Sequence, residues 1–181
     1  MEDAILSEKS VPSSQQHQVN ADLFFYIRGI VHKEFVPPGQ TVNGNFYCKV
    51  FGQLRENVRR KQPEMWKNGD WLFYHDNAPA HTMLVVRGFL TKNNMTTVPH
   101  PVYSPDLSPC NFCLFPKMKL RLKGRRSVSI EEIQAELQQV QNMLTPADFN
   151  ECFQKRQNHW DCCIQAQGDY FKGDSGNQDL K

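Results

Sequence analysis

Two polar residues near the middle of the chain, Asp76 and Asn111, are of the kind that could hold a divalent cation. Asp76 follows an apolar run at residues 71–74, in the sequence WLFYHDNAPAHT. Thirty-four residues separate it from Asn111, in SPCNFCLF. Hard cations such as Mg²⁺ take oxygen ligands, and metal-assisted phosphoryl transfer commonly uses two ions about 3.5–4 Å apart. A strand that delivers a carboxylate into a loop suits such a site. A lone Asp after an apolar run is also a common turn or cap residue.

The sequence around these two residues is long, ordered and specific. HDNAPAHT begins at His75, HPVYSPDLSP at His100 and NFCLF at Asn111. Together they resemble the catalytic core of mariner-family transposases, in which HDNAxxH carries the second metal-binding Asp and YSPDLxPxD carries the third. The resemblance continues through LKGRR, SIEEIQAEL and GDYF, and it covers about residues 22–174.

The resemblance implies an α/β domain with a ribonuclease H-like mixed sheet flanked by helices, and Mg²⁺ as the cofactor of the family. Asp76 then matches the second ligand and Asn111 the third, where the family has Asp. No strand bearing the family's first Asp is recognisable, and neither is the helix-turn-helix half. We therefore expect a sheet that lacks its first strand, weak metal binding at Asp76 and no catalysis. Asp at position 111 alone is not expected to restore cleavage.

The chain divides into three parts by composition. Residues 1–20 are polar and aperiodic, which predicts a disordered leader, so its acids Glu2, Asp3 and Glu8 are not expected to be ligands. Residues 21–174 form the truncated domain, and residues 175–181 a polar tail. The leader has no long apolar core and resembles no signal peptide. No apolar run approaches the roughly 20 residues of a membrane helix.

Apolar periodicity and turn residues predict the elements of the domain. Strands are expected at 23–27, 30–35, 71–74 and 95–98, and helices at 45–61 and 80–92. A stiff proline loop follows, and further helices begin near Pro109, after Ser129 and after Thr145, with the last ending at Gly168. Without a first strand, apolar surface of the hairpin or of the 71–74 strand would be exposed and would favour self-association.

His81 and the cysteines admit functional and structural interpretations. His81 could approach a metal, but a hydrogen bond that positions the Asp76 loop is the favoured interpretation. The six cysteines include the pair Cys110-x-x-Cys113, which could be half of a zinc site, yet no second pair with matching spacing follows. We predict reduced structural thiols and an intracellular protein, with the nucleus as one location.

The densest basic segment follows Asn111 directly. Its six cations fit a solvated face or a nuclear-import signal, and their place after the motif favours contact with DNA phosphates. They are Lys117, Lys119, Arg121, Lys123, Arg125 and Arg126. A second basic run at residues 55–61 fits the end of a helix better than DNA contact. Trp160 and Tyr170 fit core packing better than base stacking.

The net charge of +2 gives no sign of a nucleic-acid partner by itself. We expect a transposable-element-derived protein with residual, weak, non-specific DNA binding and no catalysis. One alternative is a protein-interaction or inhibitory module that forms a homodimer or pairs with transposase-related chains. The other is a metal-dependent endonuclease or transposase.

Overall fold

The computed structural model describes residues 4–11, 19–37, 39–69, 71–101, 104, 107–122 and 129–167. They form a mixed sheet in the order β3-β2-β1-β4-β5. The strands are β1 (Ala4–Val11), β2 (Val19–Tyr26), β3 (Gly29–Phe35), β4 (Leu72–Tyr74) and β5 (Thr96–Val98). β1, β2 and β3 are antiparallel neighbours, whereas β1, β4 and β5 run parallel. The predicted α/β class with a mixed sheet is confirmed.

The central strand of this sheet, β1, was not predicted from the sequence. Its residues Ile5 and Leu6 are buried and pair with Phe73 and Tyr74 of β4, and its antiparallel pairing with β2 extends to Val11. The predicted disorder of the leader is therefore wrong for residues 4–11, and so is the prediction of a missing strand. The segment is mostly polar after Leu6, and its pairing with two neighbours overrides that weak local signal.

The sheet divides the core into two clusters, because alternate residues of a strand face opposite sides. Phe24 and Phe73 pack on one side with α1 (Gly44–Lys61), α2 (Pro63–Asn68) and α4 (Leu84–Lys92). Phe25 and Tyr74 pack on the other side with the helices that follow residue 109. The exposed apolar surface predicted for the hairpin and the 71–74 strand is absent among these described residues, because β1 and the helices cover it.

The first helices differ from prediction in two places. The predicted helix at 80–92 is two helices, α3 (Pro79–Thr82) and α4, which are separated by Met83 in an extended conformation with ψ 145°. Helix α2 was not predicted. Its signals are Pro63 in its first turn and Gly69, which ends it in the left-handed conformation with φ 70°.

The C-terminal part is a helical layer. A π-helical turn, Cys110–Leu114, leads into α5 (Phe115–Leu122), and α6 (Ile130–Asn142) and α7 (Pro146–Gln165) follow. Both predicted capping boxes are present, at Ser129 with Glu132 and at Thr145 with Asp148. The predicted helix end at Gly168 and the tail 175–181 lie outside the described residues. No helix within the described ranges is long and apolar enough to cross a membrane.

Candidate metal and nucleic-acid site

Asp76 lies two residues after β4, in a loop that its own carboxylate organises. Its Oδ1 accepts a hydrogen bond of 3.1 Å from the backbone N–H of Ala78. The same oxygen lies 2.6 Å from Nδ1 of His81. Since the carboxylate can only accept, Nδ1 of His81 is the donor. The predicted role of His81 in positioning this loop is confirmed by that hydrogen bond.

His81 is itself fixed by the core. Its side chain is only 1% exposed, and its ring packs edge-on against Tyr47, with 4.1 Å between the ring centroids. Phe51 lies next to it, at 5.9 Å between centroids. Both aromatic residues belong to α1, so that helix determines where the imidazole presents its nitrogen to Asp76.

A second histidine, His75, completes a cluster around Asp76. Its Nδ1 donates to the backbone carbonyl of Asp76 at 2.7 Å, which leaves Nε2 with its lone pair. Burial lowers the pKa of His75, so the imidazole is neutral near pH 7. Ring nitrogens of His75 and His81 and a carboxylate oxygen of Asp76 all lie within 4.8 Å of one another. The cluster therefore consists of two imidazoles and one carboxylate.

Asn111 lies in the π-helical turn, where the sequence analysis predicted the start of an α-helix. Its backbone N–H donates to the carbonyl of Ser108 at 3.0 Å, and its side chain is exposed. Such π-helical turns occur often at functional sites because they change the direction of a side chain within a helix. Cys110, Cys113 and Leu114 of the turn are buried in the same cluster as Tyr74. The turn thus packs on the side of the sheet to which Tyr74 belongs.

A disulfide between Cys113 and Cys152 joins this turn to α7. Their Cα atoms are 5.5 Å apart, and the sequence separation is 39 residues. The prediction that all the thiols are reduced is therefore wrong for this pair. The packing of α7 against the turn brings Cys152 to Cys113, a contact between segments that are distant in the sequence. Cys110 remains a free, buried thiol.

Polar contacts connect the end of β4 to the loop that precedes Asn111. The hydroxyl of Tyr74 hydrogen-bonds Nδ1 of His100 and, at 3.4 Å, the carbonyl of Leu107. Asn77 donates to the carbonyl of His100 at 2.7 Å. The guanidinium of Arg156 lies 4.3 Å from the centroid of the Tyr74 ring, and burial lowers the pKa of this cation. These contacts hold His100 and Leu107 next to the end of β4.

The backbone of β1 brings an acidic residue to the level of Asp76. Leu6 pairs with Tyr74, and two residues further on along these parallel strands are Glu8 and Asp76. Glu8 itself pairs with Leu23 of β2. The expectation that Glu8 belongs to disordered sequence is therefore wrong. The backbone of Glu8 thus lies two residues beyond the last pair of β1 with β4, as Asp76 does on the side of β4.

The basic segment after Asn111 is only partly available for ligands. Lys117 forms ion pairs with Asp148 at 2.8 Å and with Glu151 at 2.6 Å. Partial burial opposes the charge, but these hydrogen bonds raise the pKa of Lys117 and lower the pKa of Asp148. Lys117 thus ties α5 to α7, and we remove it from the predicted DNA contacts. Lys119 is exposed on α5.

The other residues predicted for nucleic-acid contact lie partly outside the described residues. Arg121 is within α5, and Lys123, Arg125 and Arg126 lie outside the described residues. Trp160 is half-buried and lines a cavity beside Ile27 and Phe153. Tyr170 is also outside the described residues.

The basic run at the end of α1 has structural partners. Arg59 forms a salt bridge with Glu56, Lys61 donates to the carbonyl of Val31 at 2.8 Å, and Arg55 stacks over Trp66. The predicted structural interpretation therefore accounts for three of these cations.

The donor set fits a hard two-ion centre poorly. Asp76 brings one carboxylate to the loop after β4, and the residue that matches the family's third ligand is the neutral Asn111. Mg²⁺ binds mainly through carboxylates and retained waters, whereas two of the nearest donors to Asp76 are imidazoles. The arrangement can bind a cation, but its chemistry is softer than that of a carboxylate triad.

Comparison with known proteins identifies the origin of this arrangement. The family model described as "Transposase (partial DDE domain)" matches residues 3–68, which include β1. The Mariner Mos1 transposase of Drosophila mauritiana is 32% identical over 145 residues, which are 80% of this chain and 42% of that protein. The histone-lysine N-methyltransferase SETMAR of Homo sapiens is 23% identical over 160 residues, 88% of this chain and 23% of that protein. The chain thus spans less than half the length of these relatives.

Solved structures agree with the sequence matches. The crystal structure of the catalytic domain of Mos1 mariner transposase matches with a TM-score of 0.86 and 28% identity, over 94% of this chain and 85% of that one. Structures of the same domain and Raltegravir with Mn or Mg give the same TM-score and cover 86% of those chains. The Mos1 mariner paired end complex with Mn matches with a TM-score of 0.83 and 26% identity, over 94% and 57% of the two chains.

The sheet order, the Asp76 loop and these matches define a ribonuclease H-like transposase catalytic domain. More particularly, the chain belongs to the mariner family, as its motifs predicted. The Mos1 catalytic domain has been crystallised with Mn and with Mg.

Proposed function

We propose that this mariner-derived chain binds DNA through the phosphate backbone, with little sequence preference, and does not cleave it. The observation that carries the proposal is the position of the exposed Lys119. It lies on α5, which continues directly from the π-helical turn of Asn111. Four further cations follow Lys119 within seven positions of the sequence.

Electrostatics supports binding of this kind. Cations that neutralise phosphates release counterions, which gives affinity without base contacts, with a Kd on the order of 10⁻⁴–10⁻⁶ M at physiological salt. The similarity to Mos1 in its paired end complex supports DNA as the ligand class. Because Lys117 is occupied by two carboxylates, the contribution comes from Lys119, Arg121, Lys123, Arg125 and Arg126.

The donor chemistry supports the absence of cleavage. Two-metal phosphoryl transfer needs several anionic oxygens to hold both ions. The amide of Asn111 has one full charge less than the Asp of the family. We therefore expect supercoiled plasmid to remain intact with the purified chain in Mg²⁺ or Mn²⁺. Nicking that disappears in Asp76→Asn would contradict this part of the proposal.

Binding is tested by fluorescence anisotropy with duplexes of unrelated sequence at low salt. We expect the variant K119A/R121A/K123A/R125A to bind all duplexes more weakly by a similar factor. The slope of log K against log salt should fall by about 3–4, since each lost phosphate contact removes about 0.9.

The matched control removes the same number of charges elsewhere. Lys49, Arg60, Lys67 and Lys92 are exposed on other helices, and their replacement by Ala should leave the salt slope unchanged. Equal losses in both variants would mean that net charge alone attracts DNA. No binding by the wild-type chain would reject the proposal.

A protein-interaction role is the second candidate, and one surface favours it. Met83, Leu84 and Val85 expose 45%, 86% and 45% of their area at the break between α3 and α4. Apolar side chains grouped in this way favour association. We expect concentration-dependent self-association in analytical ultracentrifugation that Leu84→Glu abolishes. A wild-type chain that stays monomeric at all concentrations would count against this role.

A further inference from the structure

We propose that the cavity between α7 and the β2–β3 turn binds a small aryl carboxylate. The proposal is independent of DNA binding and of any metal at Asp76. The cavity has a volume of about 300 Å³, and its wall comes from one face of α7 together with Ile27 of the turn between β2 and β3. None of its lining residues in the described part of the chain belongs to the Asp76 loop.

The volume and the wall determine the size and character of the ligand. Ile27 and three residues of α7, Phe153, Trp160 and Ile164, contribute apolar side chains to the wall. Small-molecule sites are typically concave, about 300–1,000 Å³ in volume, and mostly apolar with a few polar groups. An apolar cavity of about 150 Å³ can bind benzene, so this cavity has room for one aromatic ring and a short side chain.

Arg156 determines the charge of the ligand. It lines the cavity although its side chain is only 4% exposed. Burial lowers the pKa of this cation because the charged form loses hydration, and a carboxylate in the cavity would offset that loss. The guanidinium stacks on Tyr74, at 4.3 Å from the ring centroid, and donates hydrogen bonds from its edge, so stacking is compatible with donation to a carboxylate.

The other polar residues of the wall do not cancel this preference. Asp161 also lines the cavity, but it is exposed, so water and salt screen its charge more than that of the buried Arg156. Asn150, Gln154 and Gln157 contribute amides, which can donate to an anion. The balance of charge at the cavity therefore favours an anionic ligand.

Trp160 adds a hydrogen-bond donor to the same wall. Its Nε1–H is buried and has no hydrogen-bond partner in the described part of the structure, whereas buried indole N–H groups usually have one. Because this nitrogen is itself buried, a ligand oxygen reaches it only after the indole turns toward the cavity. The resonance of this N–H is therefore a direct reporter of binding.

The experiment uses the full chain, labelled with ¹⁵N, and 3-phenylpropionate as the probe. The variant Trp160→Phe assigns the indole N–H resonance of Trp160 by its absence. We expect a saturable shift of this resonance in wild type, with a Kd of about 0.1–1 mM for a ligand of this size. The neutral amide 3-phenylpropanamide has a similar shape and should bind at least about tenfold more weakly, because it cannot form a charge-assisted pair with Arg156.

Two variants test whether Arg156 selects the charge. Arg156→Gln should make the carboxylate and the amide bind with similar Kd values. Arg55→Gln is the matched control, because Arg55 also stacks on an aromatic ring, that of Trp66, at 4.7 Å, but belongs to α1. It should leave the Kd of the carboxylate unchanged. If Arg156→Gln fails to fold, the comparison of the carboxylate with the amide on wild type still decides the question.

The proposal is overturned if the Trp160 resonance of wild type does not shift, or if the amide binds as tightly as the carboxylate. It is also overturned if Arg55→Gln weakens binding as much as Arg156→Gln. The chain's own Tyr170 and Phe171 are the alternative occupant. Binding of the carboxylate by Y170A/F171A but not by wild type would assign the cavity to these residues and would likewise reject the proposal.

Discussion

The contact between Asp76 and His81 shows how one residue of a loop is fixed by residues far away in the sequence. The spacing of five residues predicted the hydrogen bond. The burial of His81 against Tyr47 depends on α1, more than thirty residues earlier, and no local signal reveals it. Helix α1 therefore positions Asp76 indirectly, through the ring of His81.

Replacing His81 separates the contribution of its hydrogen bond to Asp76 from that of its ring packing. His81→Phe keeps a ring against Tyr47 and Phe51 but removes the donor to Asp76, and should lower the free energy of unfolding by about 1–3 kcal/mol. His81→Ala also leaves a cavity and should lower it by about 3–5 kcal/mol. Urea denaturation at pH 7 measures both values. Equal values for the two variants would show that ring packing contributes nothing.

Lys117 shows that a run of cations in the sequence does not reveal which of them have acidic partners in the fold. Six cations in ten positions indicated a DNA-binding face, and the pattern could not distinguish its members. Asp148 and Glu151, which neutralise Lys117, are more than thirty residues away on α7. Only the packing of α5 against α7 reveals that pairing.

Among the elements, the π-helical turn depends on its link to α7. The Cys113–Cys152 disulfide closes a loop across α5 and α6. Fixing these two ends reduces the entropy of the unfolded chain, and loops of this length are stabilised by about 2–4 kcal/mol. The turn that carries Asn111 is thereby held to the helical layer by a covalent bond.

We expect C113S/C152S to lower the free energy of unfolding by about 2–4 kcal/mol under non-reducing conditions. Dithiothreitol should have a similar effect on wild type and no additional effect on the variant. Cys162→Ser, which removes an exposed thiol, is the control and should change little. Full stability of the double variant would mean that packing alone holds the turn.

The presence of β1 changes the expectation for position 111. Glu8 follows Leu6 by two residues, as Asp76 follows its partner Tyr74, so we expect the neutral residue at 111 to be the main obstacle to binding two hard ions. Asn111→Asp should therefore permit slow, Mn²⁺-dependent nicking of supercoiled DNA, where wild type shows none. E8Q/N111D and D76N/N111D should both be inactive. If Asn111→Asp alone stays inactive, Glu8 does not replace the family's first Asp.

The elements that could be predicted are those specified by their own residues. α1 shows an apolar stripe, and α6 and α7 begin at capping boxes, so their positions were correct to within a few residues. β1 could not be predicted because only Ile5 and Leu6 give it an apolar core, and its stability comes from strands that follow it. The disulfide and the π-helical turn likewise depend on contacts between distant segments.

At the scale of the whole molecule, β1 makes the sheet continuous. It lies between β2 and β4, so removing it separates the hairpin from the two remaining parallel strands. We expect a chain of residues 21–174 to show no cooperative thermal transition. Deletion of residues 176–181 alone should leave the melt of the full chain unchanged. A cooperative transition for residues 21–174 would show that β2 and β4 can pair without β1.

The pairing of Leu6 with Tyr74 also affects the order in which the strands of the sheet can pair. On the ribosome, β1 emerges well before β4, and more than sixty residues must be synthesised before the two strands can meet. Its antiparallel pairing with β2 is available earlier, because β2 begins at Val19. Contacts between such distant segments form slowly. We therefore expect β1 to pair with β4 later than it pairs with β2.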